Sequence, residues 1–212
     1  MSDRRLVLVN IAEVKRAIEN NEAFARSVVQ SQCGAVVLPL EAFVSGQIRK
    51  KINPLKQILQ EHKIALEAGG WELSNMVPRR YFFFNKDSFR MEGGKRIKDH
   101  NFCPTSLDAI RIIGQEGKKL FEAAAGIEVF HLWPDKDAET DWCSCPTCRA
   151  FTFEEQCRIA INAAADVLAT INSGASVTYY EKPTETCNIN LRKNIIILSS
   201  LSENVSMENL AK

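Results

Sequence analysis

Short apolar runs rich in β-branched residues alternate with longer amphipathic stretches, and this alternation constrains the fold more than any other feature. The apolar runs occupy residues 6–9, 35–39, 64–67, 127–133, 176–180 and 194–198, and the amphipathic stretches occupy residues 13–30, 52–62, 105–122 and 153–172. Strands that are apolar throughout and are separated by helices are typical of a parallel sheet covered by helices. The sequence therefore predicts an α/β fold with about six parallel strands.

No linker, internal repeat or low-complexity tract divides the 212 residues. We therefore expect a single domain over residues 1–212, with a long irregular loop insertion at residues 71–104. This segment contains the turn signal Glu92-Gly-Gly94 and no clear helical or strand period.

Charge and hydropathy exclude some classes of partner. Lys and Arg number 27 against 26 Asp and Glu, so the net charge of +1 gives no electrostatic basis for binding nucleic acid. The apolar run after the N-terminal basic residues is too short for a signal peptide, and no run is long enough to cross a membrane. The seven cysteines are an odd number, which favours reduced thiols or a metal over a disulfide framework. We expect a cytoplasmic protein without a membrane partner.

The segment from His131 to Arg149 carries the densest set of reactive side chains. A β-rich run breaks at Pro134 into a polar loop with four acids, two tryptophans nearby and three cysteines, and a helix with capping-box form follows at Thr152. Acids, aromatic rings and thiols on a strand-to-helix loop are typical of the active-site rim of an α/β protein. A solvated loop with a structural cysteine cluster is the alternative.

The cysteines of this loop have the spacing of metal ligands. Cys145 and Cys148 are separated by two residues, and Cys143 adds a third ligand from the same loop. Cys103 closes the preceding strand-to-helix loop, which a parallel sheet places alongside, so it is the expected fourth ligand of a structural zinc site. His131 is the alternative fourth ligand; a disulfide from Cys103 to the loop and free thiols also remain open.

Five segments together resemble one protein family. They are residues 69–74, 77–80, 89–91, 98–105 and 131–135, the last with its Cys-x-Cys-x-x-Cys sequence. They resemble a bacterial family of glycoside-hydrolase-like (β/α)8 barrels catalogued as a domain of unknown function, with α-glucuronidases and β-hexosaminidases as distant relatives. The resemblance covers roughly residues 8–185. It implies a TIM-barrel type of sheet, with a sugar site at the C-terminal ends of the strands.

The chain departs from that family in size. A full barrel needs about 250 residues and eight strands, whereas about six strands are recognisable here. We therefore expect a partial barrel with outer helices. Because such a barrel leaves two sheet edges open, a homo-oligomer or a missing C-terminal barrel segment is a possible partner.

A glycoside hydrolase needs two carboxyl groups beside the scissile bond. Asp135 follows a strand directly, where barrel enzymes keep catalytic groups, and is the expected general acid, because a neighbouring tryptophan can raise its pKa by desolvation. Asp137 competes for this role, and Glu181, at the end of the next strand, is the expected second carboxylate. Each of them has a solvated surface charge as its alternative.

Further residues are candidates for contact with a carbohydrate substrate. Trp71, Trp133 and Tyr180 lie near strand ends, where their rings can stack on sugar faces, although such rings also pack in cores. Arg79, Arg80, Lys98 and His100 lie in the long loop, where an arginine can bind a sugar carboxylate. The alternative function is a non-catalytic partial barrel for carbohydrate binding or subunit assembly, with a rim held by zinc.

Overall fold

The structure is a computed structural model that describes residues 5–135, 141–180 and 187–198. Its strands are β1 (Leu6–Leu8), β2 (Ala35–Leu38), β3 (Ala65–Gly70), β4 (Met91–Glu92), β5 (Lys95–Arg96), β6 (Val129–Leu132), β7 (Ser176–Tyr180) and β8 (Ile195–Leu198). Its helices are α1 (Ile11–Glu19), α2 (Asn21–Gln30), α3 (Leu40–Val44), α4 (Gly46–Glu61), α5 (Leu107–Ala123) and α6 (Phe153–Ile171).

Six strands form one parallel sheet, in the order β1-β2-β3-β6-β7-β8. The strands therefore follow chain order, and the small antiparallel pair β4–β5 lies outside the sheet. All four residues of β2 are buried, as expected for a strand covered on both faces. The predicted α/β fold with six parallel strands and surrounding helices is confirmed.

The stretch predicted as one helix over residues 13–30 forms two helices. Asn20 has a non-helical backbone (φ −138°, ψ 67°), which ends α1, and its side chain accepts the Ala23 N–H at the start of α2. Asn10 and Glu13 form a capping box at the start of α1. An asparagine satisfies orphan amides at a helix start, so it can divide an otherwise continuous amphipathic pattern.

Strand β3 runs further than its apolar pattern suggests, because two glycines extend it to Gly70. Gly69 has a φ of +107°, and a Cβ atom there would lie 1.9 Å from the carbonyl oxygen of His131 on β6. Only glycine permits both this backbone conformation and this close approach. The two glycines thereby place Trp71 and Glu72 at the C-terminal end of the sheet.

The core contains apolar side chains from every strand of the large sheet and from all six helices. The four cysteines of residues 103–148 form a second buried cluster, against which Met91 packs. Among the described helices, none is long and apolar enough to cross a membrane.

Candidate functional site

Most of the predicted site residues lie at one end of the sheet. Parallel strands end at the same edge, so Trp71 after β3, Asp135 after β6 and Tyr180 at the end of β7 share the C-terminal face. The loop insertion joins them there, since the Asn101 N–H donates to Asp135. Asp137 and Glu181 lie outside the described residues, so their predicted roles stay predictions.

The four predicted metal ligands come together in what we call the thiol cluster: Cys103, Cys143, Cys145 and Cys148. All four side chains are buried, and their sulfur atoms lie within 4.8 Å of one another. The Sγ of Cys103 lies 3.6 Å from that of Cys148 and 3.9 Å from that of Cys145. Tetrahedral zinc with Zn–S bonds of about 2.3 Å needs sulfurs about 3.8 Å apart. The cluster can therefore hold a metal ion.

Several hydrogen-bond donors and one guanidinium surround the sulfur atoms of the thiol cluster. The backbone N–H groups of Met91 and Cys145 donate to Cys143 Sγ (3.3 and 3.5 Å), and the Arg96 guanidinium lies 3.6 Å from the same sulfur. Hydrogen bonding between the thiols lowers the pKa of Cys103 and raises the pKa of Cys143 to about 11. Once one thiol has lost its proton, its neighbours are therefore harder to deprotonate. The positive charge of a bound cation would offset this effect.

Local structure brings the loop ligands into position. Gln156 in the first turn of α6 accepts the Cys143 N–H (3.0 Å) and donates to the Cys148 carbonyl (3.2 Å). The backbone N–H of Ser144 donates to the Met91 carbonyl (2.8 Å), which joins this loop to the loop insertion. The cluster therefore connects two segments that are distant in sequence.

Two alternatives for the cysteines are wrong in this structure. His131 is not part of the cluster, because its Nε2 atom lies 2.7 Å from Glu67 Oε2 inside the sheet layer. Cys103 is not part of a disulfide, so the bond to the loop does not form.

Asp135 is held by hydrogen-bond donors on both carboxylate oxygens. The Ser74 hydroxyl donates to Oδ1 (2.7 Å), and the Asn101 N–H donates to Oδ2 (2.8 Å). The Arg79 guanidinium lies 3.6 Å from Oδ2. Donors on both oxygens, with a guanidinium near one of them, connect this carboxyl to the loop insertion. The predicted desolvating tryptophan is not the main feature of its surroundings.

The two adjacent arginines point to different places. Arg79 donates to the Asn101 carbonyl (2.8 Å) and faces Asp135; burial lowers its pKa, and the negative charge of Asp135 opposes that shift. Arg80 pairs with Glu116 on α5, and 64% of its side chain is exposed. Arg79 therefore belongs to the candidate site, whereas Arg80 connects the loop insertion to a helix.

Lys98 and His100 both have partners within the protein. The Lys98 ammonium lies 5.0 Å from the centroid of the exposed Phe83 ring, which fits a cation–π contact. His100 Nε2 lies 3.1 Å from Asp141 Oδ2, in the loop that carries the cysteines. His100 thus contacts the loop that carries the cysteines, and Lys98 is exposed on the insertion.

Trp133 lies in the interior, so it offers no free ring face here. Its side chain is fully buried, and the indole N–H donates to Thr178 Oγ1 (3.1 Å), which lies 2.8 Å from His131 Nδ1. Together with Glu67, these side chains form a buried polar network across β3, β6 and β7. Trp71 packs edge-on against Trp133 and is half-buried, so it remains available for stacking.

Sequence reasoning missed a cavity at the ends of β1, β2 and β3, which we call the β3 cavity. It has a volume of about 540 Å³ and is lined in part by Asn10, Glu13, Pro39, Glu41, Trp71 and Glu72. Burial raises the pKa of Glu72 to about 7, although the hydrogen bond from Leu40 N–H opposes that shift. The available signal in the sequence was Glu72 beside Trp71 at a strand end. It was missed because the two glycines at positions 69 and 70 indicate the end of a strand, whereas β3 includes them.

Comparison with solved structures shows which fold this is. Two structures of the pneumococcal exo-β-D-N-acetylglucosaminidase StrH, one of them of its tandem GH20 catalytic modules, match with TM-scores of 0.57 and 0.59 at 10% identity. Each match covers 92% of this chain, but only 58% and 57% of the other chains. A GH10 endoxylanase from a sugarcane soil metagenome matches at 15% identity, with a TM-score of 0.43, over 84% of this chain and 48% of its own.

Sequence comparison gives no further assignment, because no protein-family model and no curated protein matches the chain. At 10% identity, the likeness to StrH concerns the fold alone. The chain spans less than two thirds of those structures, in agreement with the six strands observed. It therefore has a parallel α/β fold of the TIM-barrel type seen in glycoside hydrolases.

Proposed function

We propose that this protein is a glycoside-hydrolase-like domain that binds carbohydrate at the C-terminal face of its sheet and hydrolyses a glycosidic bond with carboxyl groups. One observation carries this proposal: in a sheet of the glycosidase type, carboxyl groups and a half-buried tryptophan gather where β3 and β6 end. That face is where barrel enzymes keep their active sites.

Asp135 is one of the proposed carboxylates, with Asp137 or Glu181 as its partner. Hydrogen-bond donors on both oxygens suit a base, a nucleophile or a stabiliser of positive charge better than a proton donor. Arg79 is the proposed ligand for an acidic group on the sugar, since it is the arginine that faces this carboxylate.

Hydrolysis is testable with chromogenic glycosides, beginning with a nitrophenyl N-acetyl-β-D-glucosaminide because StrH is an exo-β-D-N-acetylglucosaminidase. We expect release of nitrophenol by the wild type and a rate roughly 10²–10⁴-fold lower for Asp135→Asn. Asp166→Asn is the matched control, because Asp166 is half-exposed and pairs with Arg192 on the outer surface. An unchanged rate in Asp135→Asn would remove this residue from the chemistry.

A second candidate is a non-catalytic module that binds carbohydrate or assembles subunits. The closed set of contacts around Asp135 favours it, because a carboxylate held by Ser74, Asn101 and Arg79 has a structural role already. Perturbation of the Trp71 indole NMR signal by N-acetylglucosamine oligosaccharides without any hydrolysis would favour this module. In the described part of the chain, β1 and β8 are the sheet edges at which a second copy or further barrel strands would pair.

We further propose that the thiol cluster binds one zinc ion as a structural centre. Four buried sulfurs leave no open position for water, so the ion would stabilise the loops and take no part in catalysis. Elemental analysis should give one zinc per chain, retained in Cys187→Ser and lost in Cys148→Ser. Protein purified without chelators that contains no zinc would contradict this assignment.

A further inference from the structure

Glu72 occupies a position that none of the predicted catalytic carboxylates occupies. It follows β3 directly, beside Trp71, and its side chain lines the β3 cavity. One carboxylate oxygen accepts the Leu40 N–H at 2.9 Å, and this is the only hydrogen bond of that carboxyl within the described residues. The group is thus fixed at one oxygen and retains hydrogen-bonding capacity for a ligand.

The electrostatic surroundings of Glu72 oppose its ionisation. The titratable groups that face the β3 cavity are Glu13 from α1 and Glu41 from α3, and no Lys, Arg or His is among its described lining residues. The carboxylate of Glu13 accepts a hydrogen bond from the Asn10 N–H (2.7 Å), whereas the side chain of Glu41 is exposed. The pKa of Glu72 is raised to about 7, chiefly by burial and in smaller part by the charge of Glu41. A large fraction of Glu72 is therefore protonated at neutral pH.

The two strand-end carboxyls consequently differ in kind. Asp135 is surrounded by donors and a guanidinium, while Glu72 has a single backbone donor and a carboxylate neighbour. Glycosidases assign the roles of acid and base to two carboxyls through such differences in their surroundings.

We propose that Glu72 is the general acid of this domain and protonates the glycosidic oxygen of a sugar bound in the β3 cavity against Trp71. This inference rests on the proposed function, and it moves the proton donor from Asp135, the expectation from the sequence, to Glu72.

The chemistry balances with water as the co-reactant. The Glu72 proton moves to the glycosidic oxygen while the bond from that oxygen to the anomeric carbon breaks, and the bonding pair stays on the oxygen. Water forms a new bond to the anomeric carbon by direct attack from the opposite side and loses its proton to the second carboxylate, for which Asp135 is the proposed candidate. Solvent exchange then returns the proton to Glu72, and nothing is oxidised or reduced.

The test compares leaving groups, because only poor ones need protonation. Hydrolysis of methyl and of dinitrophenyl N-acetyl-β-D-glucosaminide is measured for the wild type and for Glu72→Gln. We expect kcat/KM for the methyl glycoside to fall roughly 10²–10⁴-fold, and that for the dinitrophenyl glycoside by less than about 10-fold. Equal losses on both substrates, or no loss on either, would overturn the assignment.

Controls separate this inference from the proposed function. Glu61→Gln removes an exposed acid at the far end of α4 and should change neither rate. If the wild type hydrolyses neither glycoside, the proposed function fails and this inference falls with it; if only the Glu72→Gln comparison fails, the inference alone is wrong. Should Glu72→Gln not fold, Glu72→Asp replaces it, with the same selective loss expected.

A pH profile gives an independent readout. The wild-type kcat/KM for the methyl glycoside should fall as the pH rises through about 7, because the acid loses its proton there. In Glu41→Gln this limb should move to lower pH, since a neighbouring negative charge has been removed. A limb that stays in place in Glu41→Gln would contradict the assignment of that limb to Glu72.

Discussion

The C-terminal face of the sheet has two halves that differ in how fully their polar groups are used. On the side of β6, Asp135 has three partners, and the thiol cluster beyond it receives N–H donors from two segments. On the side of β1 to β3, the Glu72 carboxyl has one donor among the described residues and faces a cavity of about 540 Å³.

This difference separates stabilising from reactive polar groups. Buried polar groups that have all their hydrogen-bond partners hold loops in one conformation. A desolvated carboxyl with few donors is harder to ionise, so its pKa is raised. The β6 side contains the acidic residues and cysteines of the loop motif. The β3 side nevertheless has the cavity and the carboxyl with a raised pKa that are expected of an acid catalyst. Density of reactive residue types along a chain is therefore a weaker guide than the environment of each group.

The largest expected effect comes from removing a ligand of the thiol cluster. Cys148→Ser, or removal of the metal with a chelator, should lower the free energy of unfolding by about 5 kcal/mol or more, because metal binding and folding are coupled. Urea denaturation measures it, with Cys187→Ser as the thiol control. Equal stability of chelator-treated and untreated protein would contradict a stabilising role of the thiol cluster, since the loops would then not depend on a metal.

The next effect concerns the contacts of Asp135. Asp135→Asn removes the negative charge beside the half-buried Arg79 and weakens two hydrogen bonds, so we expect a loss of about 2 kcal/mol in unfolding free energy. Ser74→Ala, which removes one of the donors, should cost less. Full stability of Asp135→Asn would show that this carboxylate is not held for structural reasons, and would strengthen its chemical role.

The β3 side should respond in the opposite direction. The pKa of Glu72 rises from 4.5 to about 7 on folding, so the native state retains a proton that the unfolded chain releases between those values. Wild-type stability therefore falls as the pH rises through that window. Glu72→Gln should be more stable than the wild type by about 2 kcal/mol above pH 7, and the difference should vanish below pH 4.5. Thermal unfolding over a pH series measures this gain, and a stability difference that does not change with pH would contradict it.

The smallest effect sharpens the contrast between neighbouring arginines. Arg80→Ala should cost at most about 1 kcal/mol, because its side chain is 64% exposed and Glu116 keeps Lys119 and Tyr81 as partners. Arg79→Ala should cost more, since it also removes the bond to the Asn101 carbonyl. Equal losses in urea denaturation would mean that the two arginines are not distinguished by burial.

The thiol cluster shows how much of a site the spacing of residues along the chain can predict. Three of its ligands come from one short loop, and Cys103 follows from topology, because parallel strands place consecutive loops side by side. Asp135 shows the limit of the same reasoning, since its position at a strand end was predictable but its partners were not. Trp133 is a similar case: its position near a strand end was predicted with core packing as one alternative, and its partners Thr178 and His131 were not predicted.

By itself, the sequence determined the parallel α/β sheet, the approximate position of each strand of that sheet and the four cysteines that share a site. These features depend on periodicity, on local spacing and on the order of elements, all of which are written along the chain. Only the tertiary structure decided which strand-end carboxyl is held by several donors and which is desolvated beside a cavity. That choice depends on desolvation and on donors from distant segments, such as Leu40 N–H for Glu72 and Asn101 N–H for Asp135, and no local pattern encodes these pairings.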